Sequence, residues 1–458
     1  MAQIAPFPGI HFAPTRVPLS DVIAPPYDVL SPDDQAALYA RSPENIVRLI
    51  LNRVEPGDDS THNRYTRAAA FLQDALARGV LVRDETPGFY EYLQRFAHPL
   101  DPGLRLERRA LFVALKLVPY AEGVVLPHEE THPKAKADRL ELMRATQANP
   151  EPIYGLYEDH DQSVAASLQS SRAQADPLLQ AEVHGPHAPH GEEHIVYRHT
   201  DPGLLADLQA FFQPRRIWIA DGHHRYETAL NYQQEMREKG KGKREKEEAS
   251  TPDAQRLTPS AHDLQPYDRL LIGLSAFEDP GLVVLPTHRL VRNVARERLE
   301  SFSLQLERYF YVQKMQTPSA RLWLKQQVPD EKRLVIVARS SAYALTLRDL
   351  HLADAALDYR HSPAWRHLDV TILQALVLDR TLGISSSELA QTSDVAYTRD
   401  EDDAVQKVEA GEFQLACLLQ NPTVAEVHDV AAAGDKMPQK STYFYPKLWS
   451  GLILRTLT

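Results

Sequence analysis

Asp221-Gly222-His223-His224-Arg225 sets a carboxylate, two imidazoles and a guanidinium around one glycine. Residues 215–220, RRIWIA, are apolar and β-prone. Behind the cluster, Tyr226, Ala229, Leu230 and Met236 share one face of a helical pattern. A strand, a tight glycine turn and a helix start bring backbone N–H groups and the positive end of a helix dipole to one point, which attracts an anion. Arg225 offers a planar donor fork for phosphate, and His223 and His224 add donors. Asp221 can cap the helix, or bind Mg²⁺ beside a phosphate. The same pattern also describes a capped helix with surface histidines. Adjacent imidazoles on a helix diverge, so zinc is the weaker reading.

Three other clusters carry polar chemistry. The stretch LPHEETHPKAKADRLELMRAT, residues 126–146, contains H-E-x-x-H from His128 to His132, but Pro133 directly afterwards leaves room for one helical turn at most. A polar loop remains, with His128, Glu129, Lys134 and Lys136, ahead of a helix starting near Asp138-Arg139. It can present a carboxylate base and a phosphate-pairing lysine, or simply be solvated. GDKMPQKST, near the C-terminus, offers Lys436, Lys440, Ser441 and Thr442, the donor types that suit an oxyanion or a nucleotide. Its glycine spacing is not that of a Walker loop, and a basic turn into a final strand describes it equally well. IAPPYDVLS fixes Tyr27 and Asp28 on a proline-rich loop, typical of a pocket wall. His128 and Arg139 join them as candidate substrate contacts.

The elements that must hold these residues are legible in outline. Ser31 reads as an N-cap with Pro32 at the first helical position. Residues 41–51 read as a buried strand, 61–81 as a helix ending at Gly79, and 88–97 with 108–118 as a strand pair. Residues 159–194 and 237–265 read as solvated insertions or disordered loops. Strand patterns follow at 270–277, 282–293, 333–339 and 342–349, then helices near 363–382 and 400–410. This order predicts an α+β, mixed α/β fold in three regions, 1–236, 237–265 and 266–458.

At 458 residues, 43% hydrophobic and 25% charged, the composition is that of a soluble globular protein with two or three folding units. There is no apolar run of membrane-spanning length and no signal-peptide pattern, so a cytoplasmic location is expected. A net charge of −11 argues against nucleic-acid or anionic-membrane partners. The single cysteine, Cys417, lies in an apolar run and reads as a buried, inert thiol.

IAPPYDVLS, HEETHPKAKADR, ADGHHRYETA and GDKMPQKSTYFYPK, in this order, resemble the bacterial and archaeal family known as domain of unknown function number 1015. That family has generally carried no assigned activity. The DGHHR turn is similar to the anion-binding box of the ParB and sulfiredoxin superfamily, which includes an ADP-dependent free-serine kinase. This resemblance implies a ParB/sulfiredoxin-like nucleotide-binding core with an additional C-terminal α/β region. The chain is far longer than those relatives, lacks a partitioning protein's DNA-binding region, and carries Cys417 far from the box, so sulfiredoxin chemistry is not expected. The resulting expectation is a Mg²⁺-assisted, ADP- or ATP-dependent phosphotransferase on a small hydroxylated metabolite, with free L-serine the first candidate. Gly222, His223, His224 and Arg225 would hold phosphates, Asp221 a metal, and Glu129 would be the base. Lys436, Lys440, Ser441 and Thr442 would close the pocket. A nucleotide sensor without turnover and a metal-dependent hydrolase are the alternatives.

Overall fold

The computed structural model describes residues 1–127, 133–173, 175–250, 264–326, 328–329, 331–357, 359–385, 394–438 and 440–458. The fold is mixed α/β, and it divides into two compact units. The first takes the described residues of 1–127, 133–282 and 446–458; the second takes 283–445.

The first unit is built on a nine-stranded mixed sheet. Its strands are β1 (Ile4–Ala5), β2 (Phe89–His98), β3 (Asp101–Lys116), β4 (Val125–Pro127), β5 (Ile153–Tyr157), β6 (Leu179–Gly185), β7 (Ala188–His199), β8 (Ile217–Asp221) and β9 (Arg269–Ala276). The sheet runs β4-β8-β5-β9-β3-β2-β7-β6, with β1 also on β3. The β8–β4 and β9–β5 pairs are parallel, while β8–β5 and the long β2–β3 pair are antiparallel. Val113, Leu115, Ile153, Ile217, Ile219, Ile272 and Leu274 form the centre of its core, with Ala229 and Tyr226 of the following helix packed on them.

Several local expectations hold. Ser31 caps the helix Pro32–Arg41 through a reciprocal pair with Asp34, and Arg64–Ala77 ends ahead of Gly79, whose φ of 68° is the left-handed region glycine favours. Others do not. Residues 41–51 form no strand: Val47–Ile50 is one helical turn, entered where the Asn45 Oδ1 accepts from the Val47 N–H at 2.9 Å. A short buried apolar run reads alike for both states. Residues 159–194 are not an insertion. Asp159 caps the helix Ser163–Arg172, and β6 and β7 form an edge hairpin in which buried Leu179 and Val183 alternate with exposed Gln180 and Glu182. One-sided burial makes such a strand look polar. Residues 237–250 continue the helix His223–Ser250, and 251–263 lie outside the described residues. The change of texture at 265 does not mark the edge of a unit, since β9 completes the first sheet.

The second unit carries a six-stranded, wholly antiparallel sheet. Its 282–293 run breaks at Pro286 into β10 (Val283–Leu285) and β11 (His288–Val291). The sheet joins β11 to β12 (Phe310–Met315), β13 (Arg333–Ala338), β14 (Ser341–Leu347), β15 (Val395–Thr398) and β16 (Leu415–Leu419). Cys417 is buried in β16, and burial pushes its thiol up to about 12, so it stays protonated and unreactive. β17 (Tyr443–Tyr445) pairs with β10. Among the described residues, no helix is long and apolar enough to cross a membrane.

Candidate functional site

The register between β8 and β5 shifts between Ile219 and Asp221, leaving Ala220 as the extra residue, and Asp221 pairs with Tyr154 at the strand end. Gly222 follows with φ +89°, and the helix begins at His223. A Cβ at Gly222 would lie 2.8 Å from Ile153 Cγ2 and 3.0 Å from Arg225 Nε, so both backbone conformation and space require glycine. The Tyr226 N–H donates to the Gly222 carbonyl at 3.0 Å. The amides of His223, His224 and Arg225 therefore lie in the first turn, where a helix offers no acceptor of its own. Tyr226 anchors the turn, donating its hydroxyl to the Val118 carbonyl at 2.7 Å and stacking on Tyr120.

Charged groups crowd around this turn. Lys447 Nζ donates to Asp221 Oδ1, and Arg225 Nη2 donates to Asp221 Oδ2 at 2.7 Å. Burial alone would raise the Asp221 pKa, but Lys447 and then Arg225 outweigh it and bring it down to about 2. Asp28, in the single turn Tyr27–Val29, is exposed at its own surface yet surrounded by the charges of Asp221, Arg225, Lys447 and Glu151. Desolvation by the surrounding protein, and next the Asp221 carboxylate, push Asp28 up to about 6. Two interacting carboxylates with pKa values driven apart are the arrangement in which one stays ionised while the other exchanges protons.

Tyr27 forms the adjoining wall. Arg139 Cζ lies 3.9 Å from its ring centroid, and its amide donates to Glu151 Oε1 at 3.1 Å. Glu151 also accepts from Ser450 Oγ at 2.9 Å and lies 3.7 Å from Arg139 Nη1. Burial raises the Tyr27 phenol to about 12, so it acts as a neutral hydrogen-bonding group. Lys447 is held through its own backbone. Arg108, 1% exposed, donates to the Pro446 carbonyl and to Gln94 Oε1, while Gln94 donates to the Lys447 carbonyl at 3.3 Å.

The structure thus brings Tyr27, Asp28, Arg139, Asp221, Gly222 and Arg225 together, and adds Lys447, Glu151 and Ser450, which the sequence reading passed over. Lys447 ends the quoted YFYPK stretch, so its presence there was a usable signal. Glu151, between two prolines, carried none. Two roles change. Arg225 is no open fork, because Nη1 donates to the Pro152 carbonyl at 2.8 Å and Nη2 to Asp221; it holds Asp221 in place. Both Asp221 oxygens already face cations, so a metal contact there requires Lys447 to move away. His223 is buried and His224 half-buried. The helix expected near Asp138 begins earlier, at Pro133, where proline suits a first turn, and Lys136 pairs with Glu227 at 2.8 Å. His128 and Glu129 lie outside the described residues. Lys436, Lys440, Ser441 and Thr442 belong to the second unit. Among the described residues, no three His, Cys, Asp or Glu side chains gather to hold a metal by themselves. Asp28 and Asp221 are two carboxylates, the complement with which Mg²⁺ is commonly held beside substrate phosphates.

The mixed α/β first unit thus gathers Asp28, Asp221, Arg225 and Lys447 around a strand end, a glycine turn and a helix start. The chain belongs to the family described as "Protein of unknown function (DUF1015)", whose model matches residues 4–371. No curated protein matches it. Among solved structures it is similar to a conserved hypothetical protein from Pyrococcus furiosus, at 13% identity over 74% of this chain and 92% of that one, with a TM-score of 0.32. It is also similar to a free serine kinase in complex with AMP, at 11% identity over 73% and 86%, TM-score 0.32. A third is SbnI with C-terminal truncation from Staphylococcus aureus, at 10% identity over 74% and 86%, TM-score 0.34.

Proposed function

We propose that the chain is a Mg²⁺-assisted, nucleotide-dependent phosphotransferase acting on a small hydroxylated metabolite, free L-serine being the first acceptor to try. The observation that carries this reading is the glycine-entered helix start flanked by Asp221, which Lys447 and Arg225 hold in place, with Asp28 beside them. Phosphoryl transfer asks for positioning and charge neutralisation more than for covalent chemistry. The first-turn amides of His223, His224 and Arg225 would receive phosphate oxygens, with Lys447 supplying a point charge. Asp28 would accept the proton of the substrate hydroxyl, the role that sequence reasoning gave to Glu129. Tyr27 and Arg139 would form the acceptor wall.

Arg139, Arg225 and Lys447 are matched by the carboxylates of Asp138, Glu151, Asp221 and Asp28, so the site carries no excess positive charge. A nucleotide's phosphates therefore need charge brought with them, which favours the Mg²⁺ complex over the bare anion. When bound, Mg²⁺ would neutralise phosphate charge next to Asp28 and Asp221.

The test incubates the full chain with ADP or ATP, Mg²⁺ and L-serine or another hydroxy acid, and measures phosphorylated product by mass spectrometry. Product is expected, with chelation of Mg²⁺ abolishing it. Turnover should rise as pH increases through about 6, because the base works only unprotonated. Nucleotide binding without turnover, for every acceptor tried, would instead make the chain a sensor. Absence of both would end the proposal.

A further inference from the structure

Arg289, in β11 of the second unit, is 5% exposed. Its guanidinium donates to the carbonyls of Thr287 and, at 3.3 Å, Lys440. Among the described residues the charges that act on it are those of Tyr397 and Cys417, with no carboxylate among them. Cys417 is its cross-strand neighbour on one side, but that thiol is protonated and offers no countercharge. Tyr397 is its neighbour on the other side, on edge strand β15. A buried cation costs several kcal/mol unless something of opposite charge faces it.

Further cations converge on the same edge. Arg289 Cζ lies 5.6 Å from the Tyr397 ring centroid and Lys440 Nζ lies 4.5 Å from that same centroid, so both charges share one ring. Arg399, two residues beyond Tyr397, sets Cζ 3.6 Å from the ring centroid of Tyr443. Arg399 and Lys440 are exposed, so the cluster opens to solvent above the buried Arg289. Lys440 holds a left-handed backbone, φ 52°, uncommon for a side chain of its kind, and its carbonyl is the one that Arg289 grips. Desolvation lowers the Arg289 pKa to about 10, which leaves it charged at neutral pH.

We infer that Arg289, Lys440 and Arg399 form an anion site in the second unit that takes the phosphoryl group of a small molecule. Arg289 supplies a fixed positive charge at its base, its Nη1 and Nη2 already held by carbonyls, and Lys440 and Arg399 close on the ligand from the exposed side. The ligand supplies the negative charge that no described carboxylate provides. The proposal gives the KMPQKST stretch a role within its own unit and does not rest on the phosphotransferase reading.

The full chain is titrated by calorimetry and thermal unfolding with inorganic phosphate, glycerol phosphate and ADP, ionic strength being matched with sodium chloride. Phosphate or its ester is expected to raise the melting temperature of the wild-type chain. Arg289→Met should abolish that shift while melting no lower than wild type without ligand, because methionine relieves an uncompensated charge. Lys440→Gln and Arg399→Gln should each weaken binding roughly tenfold and leave the unliganded protein unchanged. Gly222→Val should leave the phosphate shift intact. Binding of free or esterified phosphate with this pattern supports the site, and the tighter of the two identifies its source. A wild-type chain that phosphate does not stabilise, or a shift equal in all variants, overturns it. Should Arg289→Met not fold, the Lys440→Gln/Arg399→Gln double variant decides, and undiminished binding by it overturns the proposal. A phosphate shift lost with Gly222→Val but kept in Arg289→Met would sink this site and leave the phosphotransferase reading standing.

Discussion

Asp28→Asn is expected to slow phosphoryl transfer by roughly 10²–10⁴-fold, while nucleotide affinity stays within a few-fold of wild type. Asparagine keeps the size and polarity of the side chain but cannot accept a proton at neutral pH. Asp28 is the described carboxylate in the cleft whose pKa lies near working pH, raised by its surroundings and by Asp221. Removing its charge also relieves repulsion on Asp221, whose pairing with Lys447 and Arg225 should persist, so the fold should not suffer. Turnover and calorimetric nucleotide titration on the same preparation separate the two effects. Equal loss of affinity and turnover would make Asp28 a binding group; unchanged turnover would remove it from the chemistry.

Glu91→Gln should produce the largest change in stability. The Glu91 side chain is fully buried in β2, and one oxygen accepts from Arg109 Nε at 2.8 Å and from Arg172. The other lies 3.2 Å from His199 Nε2, and His199 Nδ1 is 2.9 Å from Ser171 Oγ. Glutamine cannot answer two guanidinium groups, so about 3–5 kcal/mol should be lost. That corresponds to a fall of about 10 °C in melting temperature for a unit of this size. Burial alone would raise the Glu91 pKa, but His199, Arg172 and Arg109 bring it below its ordinary value. A depressed carboxylate contributes stability above its unfolded pKa of about 4.3 and loses it as the pH falls further. The gap between wild type and Glu91→Gln should therefore be widest near neutrality and narrow below about pH 4. A gap that is small or independent of pH would show that the arginines find water or other partners.

The sequence made the box legible because its parts are local. A β-prone run, a glycine and a helical apolar face determine one another within twenty residues, and Tyr226, Ala229 and Leu230 pack as their spacing implies. The capped helices at Ser31 and Asn63 are local in the same way. What escaped is long-range. Nothing near Lys447 in the chain announces that its amine meets Asp221, 226 positions earlier, or that Arg108 and Gln94 hold its backbone. The Arg225 fork looked open because its acceptors, Asp221 and the Pro152 carbonyl, become neighbours only when β5 and β8 pair. The β6–β7 hairpin was mistaken for an insertion because half of its residues face solvent.

The claim that phosphate sits on the helix start is tested most directly by its amides. The chain labelled with ¹⁵N-histidine would be titrated with ADP and Mg²⁺ and followed by TROSY spectra, with His223 and His224 assigned by single substitution. The His223 and His224 amide resonances are expected to move together and saturably, with the same apparent affinity as calorimetry reports. Saturable nucleotide binding that leaves both resonances in place would contradict the account, because the phosphates would then lie elsewhere.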